Sequence, residues 1–205
     1  VTDPPPPHQP ESDDAALIVR SLDHPEAFAR LYDRYAPDIH RYVTRRLGDG
    51  VADDITAETF LIAFRSRSRY DVTRTAARPW LYGIAANLIG RHRRSEVRAL
   101  RALARGGTDP VAESWVDRAD SRVAAQAAQG PLAGALAGLS AGDRHVLLLI
   151  AWADLSYQEV ADALRIPLGT VRSRLNRARR KVRAALGGAD PTLVHDVQEE
   201  AVCHG

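Results

Sequence analysis

The residues most suited to chemistry in this chain lie between positions 172 and 180: Arg172, Ser173, Asn176, Arg177 and Arg180. At about 100° per residue they fall on one side of a helix. The other side holds Val171, Leu175, Ala178, Val182 and Leu186, a single apolar stripe at helical spacing. Guanidinium forks fit guanine edges and phosphates, an asparagine amide fits an adenine edge, and a serine hydroxyl serves either. Base-edge and phosphate chemistries on one helix face predict a helix that enters the major groove of DNA. A helical hairpin with a solvated basic face is the plainer alternative, but it leaves the base-edge residue types without a purpose.

Two further clusters stand earlier in the chain. Residues 65–79 form a loop in which Arg65, Arg67, Arg69, Arg74 and Arg78 surround Tyr70. It leads into a helix that ends in Arg91, His92, Arg93 and Arg94. Arginines track a phosphate backbone while aromatic faces stack on bases, so this combination suits single-stranded nucleic acid. Positive charge at a helix C-terminus also complements the macrodipole, which accounts for part of it structurally. The third cluster is Asp53, Asp54 and Glu58 on the exposed side of a helix. Asp53 and Asp54 sit in the first turn, where the dipole alone favours them. No further acid stands at a spacing that would complete a metal site, and no metal or cofactor is expected.

The elements that must position these residues are all predicted helical. Ser156 and Glu159 form a capping box that starts a short helix bearing Val160, Ala161 and Leu164. Arg165, Ile166 and Pro167 break it, and Pro167 suits the start of the next helix. Short helix, tight turn and basic helix together predict a helix-turn-helix. Ser140 caps the helix before it, with Val146, Leu147, Ile150 and Ala151 as its core face. In the first half, Ser12 caps a short helix over residues 13–22. Phe28, Leu31, Tyr32 and Tyr35 make one apolar stripe, which Pro37 kinks or restarts before Ile39, Tyr42, Val43 and Leu47. The helix over residues 51–64 carries Ile55, Thr59 and Ile62 on one side, with Phe60 and Phe64 stacked at i and i+4. Residues 80–94 present Trp80, Leu81, Ile84, Ala85 and Leu88, and Trp80 is expected to be a core anchor.

The fold class expected is all-α: two small helical domains, residues 25–98 and 132–188, joined by a flexible linker over 99–131. Gly106-Gly107, Asp109-Pro110 and Gly130-Pro131 mark that linker as broken chain. A proline-rich arm (residues 1–24) and an acidic tail (residues 189–205) flank the domains. Net charge follows the same division. Residues 25–95 carry thirteen bases against eight acids, and residues 131–188 carry nine against four, while both ends are acidic. Two basic blocks predict two surfaces for a polyanion. Cys203 is the only cysteine, which excludes an internal disulfide, and with His195 and His204 it makes too few ligands for a closed zinc site. The longest apolar run, residues 146–153, is far below the ~20 residues of a membrane span, so no membrane insertion and a cytoplasmic location are expected. Nothing resembles a nucleophile–base pair or a phosphate loop, so no enzymatic activity is expected.

Taken together these stretches resemble the extracytoplasmic-function (ECF) sigma factors of bacterial RNA polymerase, in the sigma-70 family. Region 2 of that family carries an acidic Ala-Glu-Asp-Leu-x-Gln-Glu-x-Phe helix and a Trp-Leu-x-x-Ile-Ala-x-Asn helix. Here they are matched by residues 52–60, with Ala57 in place of the usual Gln, and by residues 80–87. Region 4 of the family carries Gly-Thr-Val-Lys/Arg-Ser-Arg-Leu-x-Arg-Ala-Arg, intact here from Gly169 to Arg179, while Arg165 stands where a glycine is usual. The resemblance covers about residues 25–94 and 132–186.

The resemblance implies a sigma factor that binds core polymerase and helps to open promoters. The helix with Asp53, Asp54, Glu58 and Phe60 would dock on the clamp helices of the largest polymerase subunit through its exposed acids, with Phe60 equally suited to the core, and with region 4 at the flap. Asn87, with the loop that includes Arg78, would read an unpaired base of the −10 element, while Arg91, Arg93 and Arg94 hold phosphates. Arg172, Ser173, Asn176, Arg177 and Arg180 would face the −35 element, with Thr170 on a phosphate at the helix N-terminus. An anti-sigma factor is a further partner that the family implies. Two other readings compete: a helix-turn-helix regulator that works without polymerase, and a helical adaptor with basic surfaces.

Overall fold

The computed structural model describes residues 14–105 and 130–187, and every regular element among them is a helix. The expected cap at Ser12, the middle of the linker and the acidic tail lie outside the described residues. Helix α1 (Asp14–Asp23) leads through a 3-10 turn (Pro25–Phe28) into α2 (Ala29–Leu47). Pro37 lies inside α2, and the helix runs on through it rather than restarting. Gly48 ends it with φ +85°, a left-handed conformation that costs glycine nothing, and its N–H bonds Thr44 O. A 3-10 turn (Asp49–Val51) and α3 (Ala52–Ser66) follow. The loop expected from residue 65 is shorter, because α3 and the turn Arg67–Arg69 extend into it.

Helix α4 (Arg78–Arg91) starts with Pro79 in its first turn, where the missing N–H is harmless. It stops at His92, whose φ of −88° and ψ of +14° leave the helical range, and α5 (Arg93–Ala104) follows. Thus the chain stays helical six residues beyond the domain boundary expected at residue 98. A helix over residues 130–138, α6, precedes α7 (Ala141–Ala151), α8 (Tyr157–Leu164) and α9 (Leu168–Ala185).

The expected caps are present. Ser140 accepts a hydrogen bond from Asp143 N, and Ser156 and Glu159 form the reciprocal capping box. Arg165 closes α8 with φ +52° and ψ +48°, so an arginine occupies the left-handed position that usually takes glycine. The apolar stripe of α9 is buried as its spacing predicts, at Val171, Leu175, Ala178 and Val182.

One expectation about aromatic residues changes and one is refined. Phe60 and Phe64 do not stack on each other. Phe60 lies edge-on to Tyr32 and Phe64 to Phe28, with centroids 4.9 and 5.4 Å apart, because two helices meeting side by side offer each ring a partner across the interface. Trp80 packs against the core as expected but is only half buried, and its ring tilts against Tyr70, 4.9 Å away. Leu81, Ala85, Leu88 and Ile89 of the same helix are fully buried.

The first half and the second half share one apolar core. Helix α4 lies directly on α8, and at Gly83 the two backbones nearly touch: a Cβ there would stand 2.3 Å from the carbonyl oxygen of Ala163. Only glycine permits this approach.

Candidate nucleic-acid and polymerase interfaces

The buried stripe of α9 turns its opposite face outward, and Arg172, Ser173, Asn176, Arg177 and Arg180 are all exposed there. Thr170 is half buried in the first turn. The Ser173 hydroxyl donates to Thr170 O at 3.0 Å, which holds that first turn. Arg177 does more than face solvent: its guanidinium pairs with Asp143 at 3.0 Å, tying α9 to the start of α7. Burial raises the Asp143 carboxyl, but hydrogen bonds from Arg177 and Ser140 and the charges of Arg177 and Lys181 outweigh it, and the group is held below its ordinary range. Arg172, Asn176 and Arg180 form the part of this face that carries no packing duty.

Asn87 is exposed on α4. It stands at the edge of a cavity of about 410 Å3 that Tyr70, Trp80, Asp71 and Arg74 line from one side and Asp162 and Arg165 from the other. Tyr70 is fixed there by its hydroxyl, which donates to Arg74 O and Ala76 O at 2.8 and 3.0 Å. Asp71 is held below the usual carboxylate range by hydrogen bonds from Thr73 and Arg74, and these keep the loop turned. Arg91 and Arg94 are exposed beyond Asn87, while the side chain of Arg93 lies outside what the structure describes.

Arg78 differs from the expectation of a free DNA contact. Its guanidinium donates to the carbonyls of Ala153 and Asp154, past the end of α7, and lies 5.7 Å from the Tyr82 ring centroid. Burial pushes the Tyr82 hydroxyl up to about 12, so it remains a neutral donor.

On α3 the acids point outward. Asp53 pairs with His40 at 2.9 Å and is otherwise open to solvent, and Asp54 is exposed. Glu58 is half buried and pairs with Arg91 at 3.4 Å, which places an acidic and a basic candidate residue side by side. Phe60, by contrast, is 5% exposed and packs inward, so it supports this face from beneath.

Two groups escaped the reading of the sequence. Asp14 is buried and receives Arg34, the Tyr35 hydroxyl at 2.6 Å and Ala77 N at 2.8 Å, so one carboxylate ties α1, α2 and the start of α4 together. The second is Glu96, on α5. It takes Arg46 of α2 on one oxygen and Arg144 of α7 on the other, the latter at 2.7 Å, with all three side chains nearly sealed from water. Burial would raise the Glu96 carboxyl, but the two guanidiniums outweigh it and hold it low. Arg144 also caps α6, donating to the carbonyls of Leu136, Ala137 and Leu139. The only sign in the sequence is that Glu96 is the sole acid in an otherwise basic run from 91 to 105.

Comparison with known proteins identifies the family of both halves of the chain. Residues 31–99 match the family described as Sigma-70 region 2, and residues 129–182 match Sigma-70, region 4. The chain is 32% identical over 184 residues to the probable RNA polymerase sigma-C factor of Mycobacterium bovis, covering 88% of this chain and 95% of that protein. It is 36% identical over 157 residues to the ECF RNA polymerase sigma factor SigL of Mycobacterium tuberculosis, covering 76% and 86%. Two solved structures share the fold. CnrH, in complex with the cytosolic domain of CnrY, gives a TM-score of 0.59 at 24% identity and covers 86% of this chain and 98% of that one. RpoE of Bartonella quintana, in complex with the anti-sigma factor NepR, gives 0.55 at 21% and covers 78% and 96%. With both regions matched in order around one helical core, the chain belongs to the ECF family of RNA polymerase sigma factors.

Proposed function

We propose that this sigma factor reads its promoter through two separate faces. Region 2, residues 25–98, presents Asn87 and the Tyr70–Trp80 cavity to an unpaired base of the −10 element, with Arg91, Arg93 and Arg94 on the phosphates. Region 4, residues 132–188, lays α9 in the major groove at the −35 element through Arg172, Ser173, Asn176, Arg177 and Arg180, with Thr170 at the phosphate. Asp53, Asp54 and Glu58 meet the polymerase clamp, supported from below by Phe60. Extruding a base costs a few kcal/mol, which stacking and edge hydrogen bonds offset. The chain itself performs no bond chemistry: it positions and opens DNA for the polymerase, within the cytoplasm.

The observation that supports this best is the exposure of Asn87 at the lip of an aromatic, arginine-bearing cavity. A regulator that bound only duplex DNA through α9 would leave that surface idle. Run-off transcription with core polymerase on a promoter library tests the reading. The expected outcome is promoter-dependent transcript whose −10 preference changes in Asn87→Ala. A chain that bound duplex DNA but gave no transcript would overturn it.

CnrH and RpoE were each captured with a second protein, and RpoE's is an anti-sigma factor. A protein inhibitor of the same kind belongs to the proposal, recognised by loss of transcript when it is added to the run-off reaction.

A further inference from the structure

The cavity beside Asn87 holds charges that its own contacts do not use. Arg74 lies between two of its carboxylates, 3.3 Å from Asp71 and 3.2 Å from Asp162, and serves both. Two more arginines line the same space, Arg69 from the turn after α3 and Arg165 from the turn after α8. Neither of their guanidiniums has a hydrogen bond or ion pair among the described residues. Three arginines against two carboxylates leave the lining positive. Arg165 stands there in a left-handed conformation, φ +52°, which disfavours any residue with a Cβ. Such strain, carried by a side chain that borders a cavity, points to a ligand for that side chain. The uncharged part of the lining is equally distinctive: Tyr70 and Trp80 supply aromatic faces, and the exposed Asn87 supplies an uncommitted amide.

We propose that this cavity is a binding site for a free adenine nucleotide, a nucleoside mono- or diphosphate. The base lies against Trp80 and Tyr70, the Asn87 amide meets its edge, and Arg69 and Arg165 take the phosphates from opposite walls. Each group suits its part: aromatic rings receive a flat heterocycle, an asparagine amide fits an adenine edge, and planar guanidiniums bind phosphate oxygens in pairs. The volume of about 410 Å3 is that of a small-molecule site. Two free guanidiniums match one or two phosphates, while Asp71 and Asp162 oppose the larger charge of a triphosphate. Arg165 is what separates this ligand from a promoter strand. It comes from the helix-turn-helix and encloses a small molecule from the far side, whereas a continuous strand needs both an entry and an exit. The site therefore goes beyond promoter reading and does not depend on it. A nucleotide that touches both walls also stabilises the packing of α4 on α8 by its own binding free energy.

Calorimetric titration of the full chain with ADP, without polymerase or DNA, tests the site. The expected result is saturable binding of one ADP per chain, with adenosine and pyrophosphate each bound at least roughly tenfold more weakly, because each offers only half of the contacts. Arg165→Gly is the informative substitution: it removes the guanidinium, and glycine suits the left-handed backbone, so the fold is kept. It is expected to weaken ADP roughly tenfold, the worth of a charge-assisted phosphate contact, and to leave adenosine unchanged. Arg69→Ala, on the opposite wall, is expected to do the same, and it is exposed in a short turn where a smaller side chain leaves no void. Arg172→Ala, on the far basic face of α9, is expected to leave ADP binding unchanged. Absence of saturation by ADP overturns the proposal. So does pyrophosphate binding as tightly as ADP, or a loss in Arg172→Ala equal to that in Arg165→Gly, since either marks a general attraction of anions to basic surface. Unaltered ADP affinity in both Arg165→Gly and Arg69→Ala overturns it as well. A failure of the promoter-reading proposal shows elsewhere, as absence of transcript from the unsubstituted chain with core polymerase.

Discussion

Arg172 and Asn176 stand on the exposed face of α9 as their spacing predicts. Arg172→Ala is expected to weaken −35 recognition by about 1–3 kcal/mol, the worth of a bidentate base contact, measured as promoter affinity of the holoenzyme. Arg177 carries a second duty through Asp143, so Arg177→Ala is expected to lower both promoter affinity and the melting temperature, whereas Arg172→Ala lowers only the first. His145 supplies a pH dependence. Burial, assisted by Arg46, lowers it from 6.5 to about 4, with Glu96 opposing and Arg144 and Arg174 adding to the effect. The unfolded chain therefore binds the proton first, so the fold is fully stable above the unfolded value and loses stability as pH falls towards the folded one. The expected loss is about 2 kcal/mol between neutrality and about pH 5, read from denaturant midpoints, and His145→Gln is expected to flatten it. Glu96, held low, adds its own loss only at still more acid pH, as its carboxylate takes up a proton.

At the scale of elements, the helix-turn-helix depends on how α8 begins and ends. Ser156→Ala removes the cap that accepts from Glu159 N and is expected to cost about 1 kcal/mol in thermal or denaturant unfolding. Arg165 holds a left-handed conformation without glycine, so Arg165→Gly is expected to stabilise the chain by up to about 1 kcal/mol, since relief of strain exceeds the added freedom of the unfolded backbone. The caps and stripes of α7, α8 and α9 were legible because they depend on residues within a few positions of each other. The break between α4 and α5 at His92 was not, because nothing at that point in the sequence forbids a continuous helix. Beyond that break Glu96 lies between Arg46 and Arg144.

For the whole molecule, the relevant property is that two basic faces belong to one chain with a shared core. Promoter complexes of the holoenzyme are expected to weaken with salt, and Arg180→Ala, if it removes one phosphate contact, is expected to reduce the slope of log affinity against log salt by about 0.9. The buried Glu96 bridge is shielded from solvent ions, so the free chain is expected to keep its radius of gyration over the same salt range. Scattering measured alongside the binding titrations checks both statements.

The sequence alone determined the helical class, the outward face of α9, the caps at Ser140 and Ser156, and the family motifs at residues 80–87 and 169–179. These are short-range properties: periodicity, capping and turn chemistry act within one or two helical turns, so a linear reading captures them. Only the tertiary structure decided that Trp80 borders a cavity, that Phe60 takes the core rather than the docking face, that Arg78 is spent on carbonyls from the other half of the chain, and that Glu96 joins Arg46 to Arg144 across 50 and 48 positions. Each of those outcomes depends on which helices come to lie together, and no local preference of Gly83 or Glu96 reveals that.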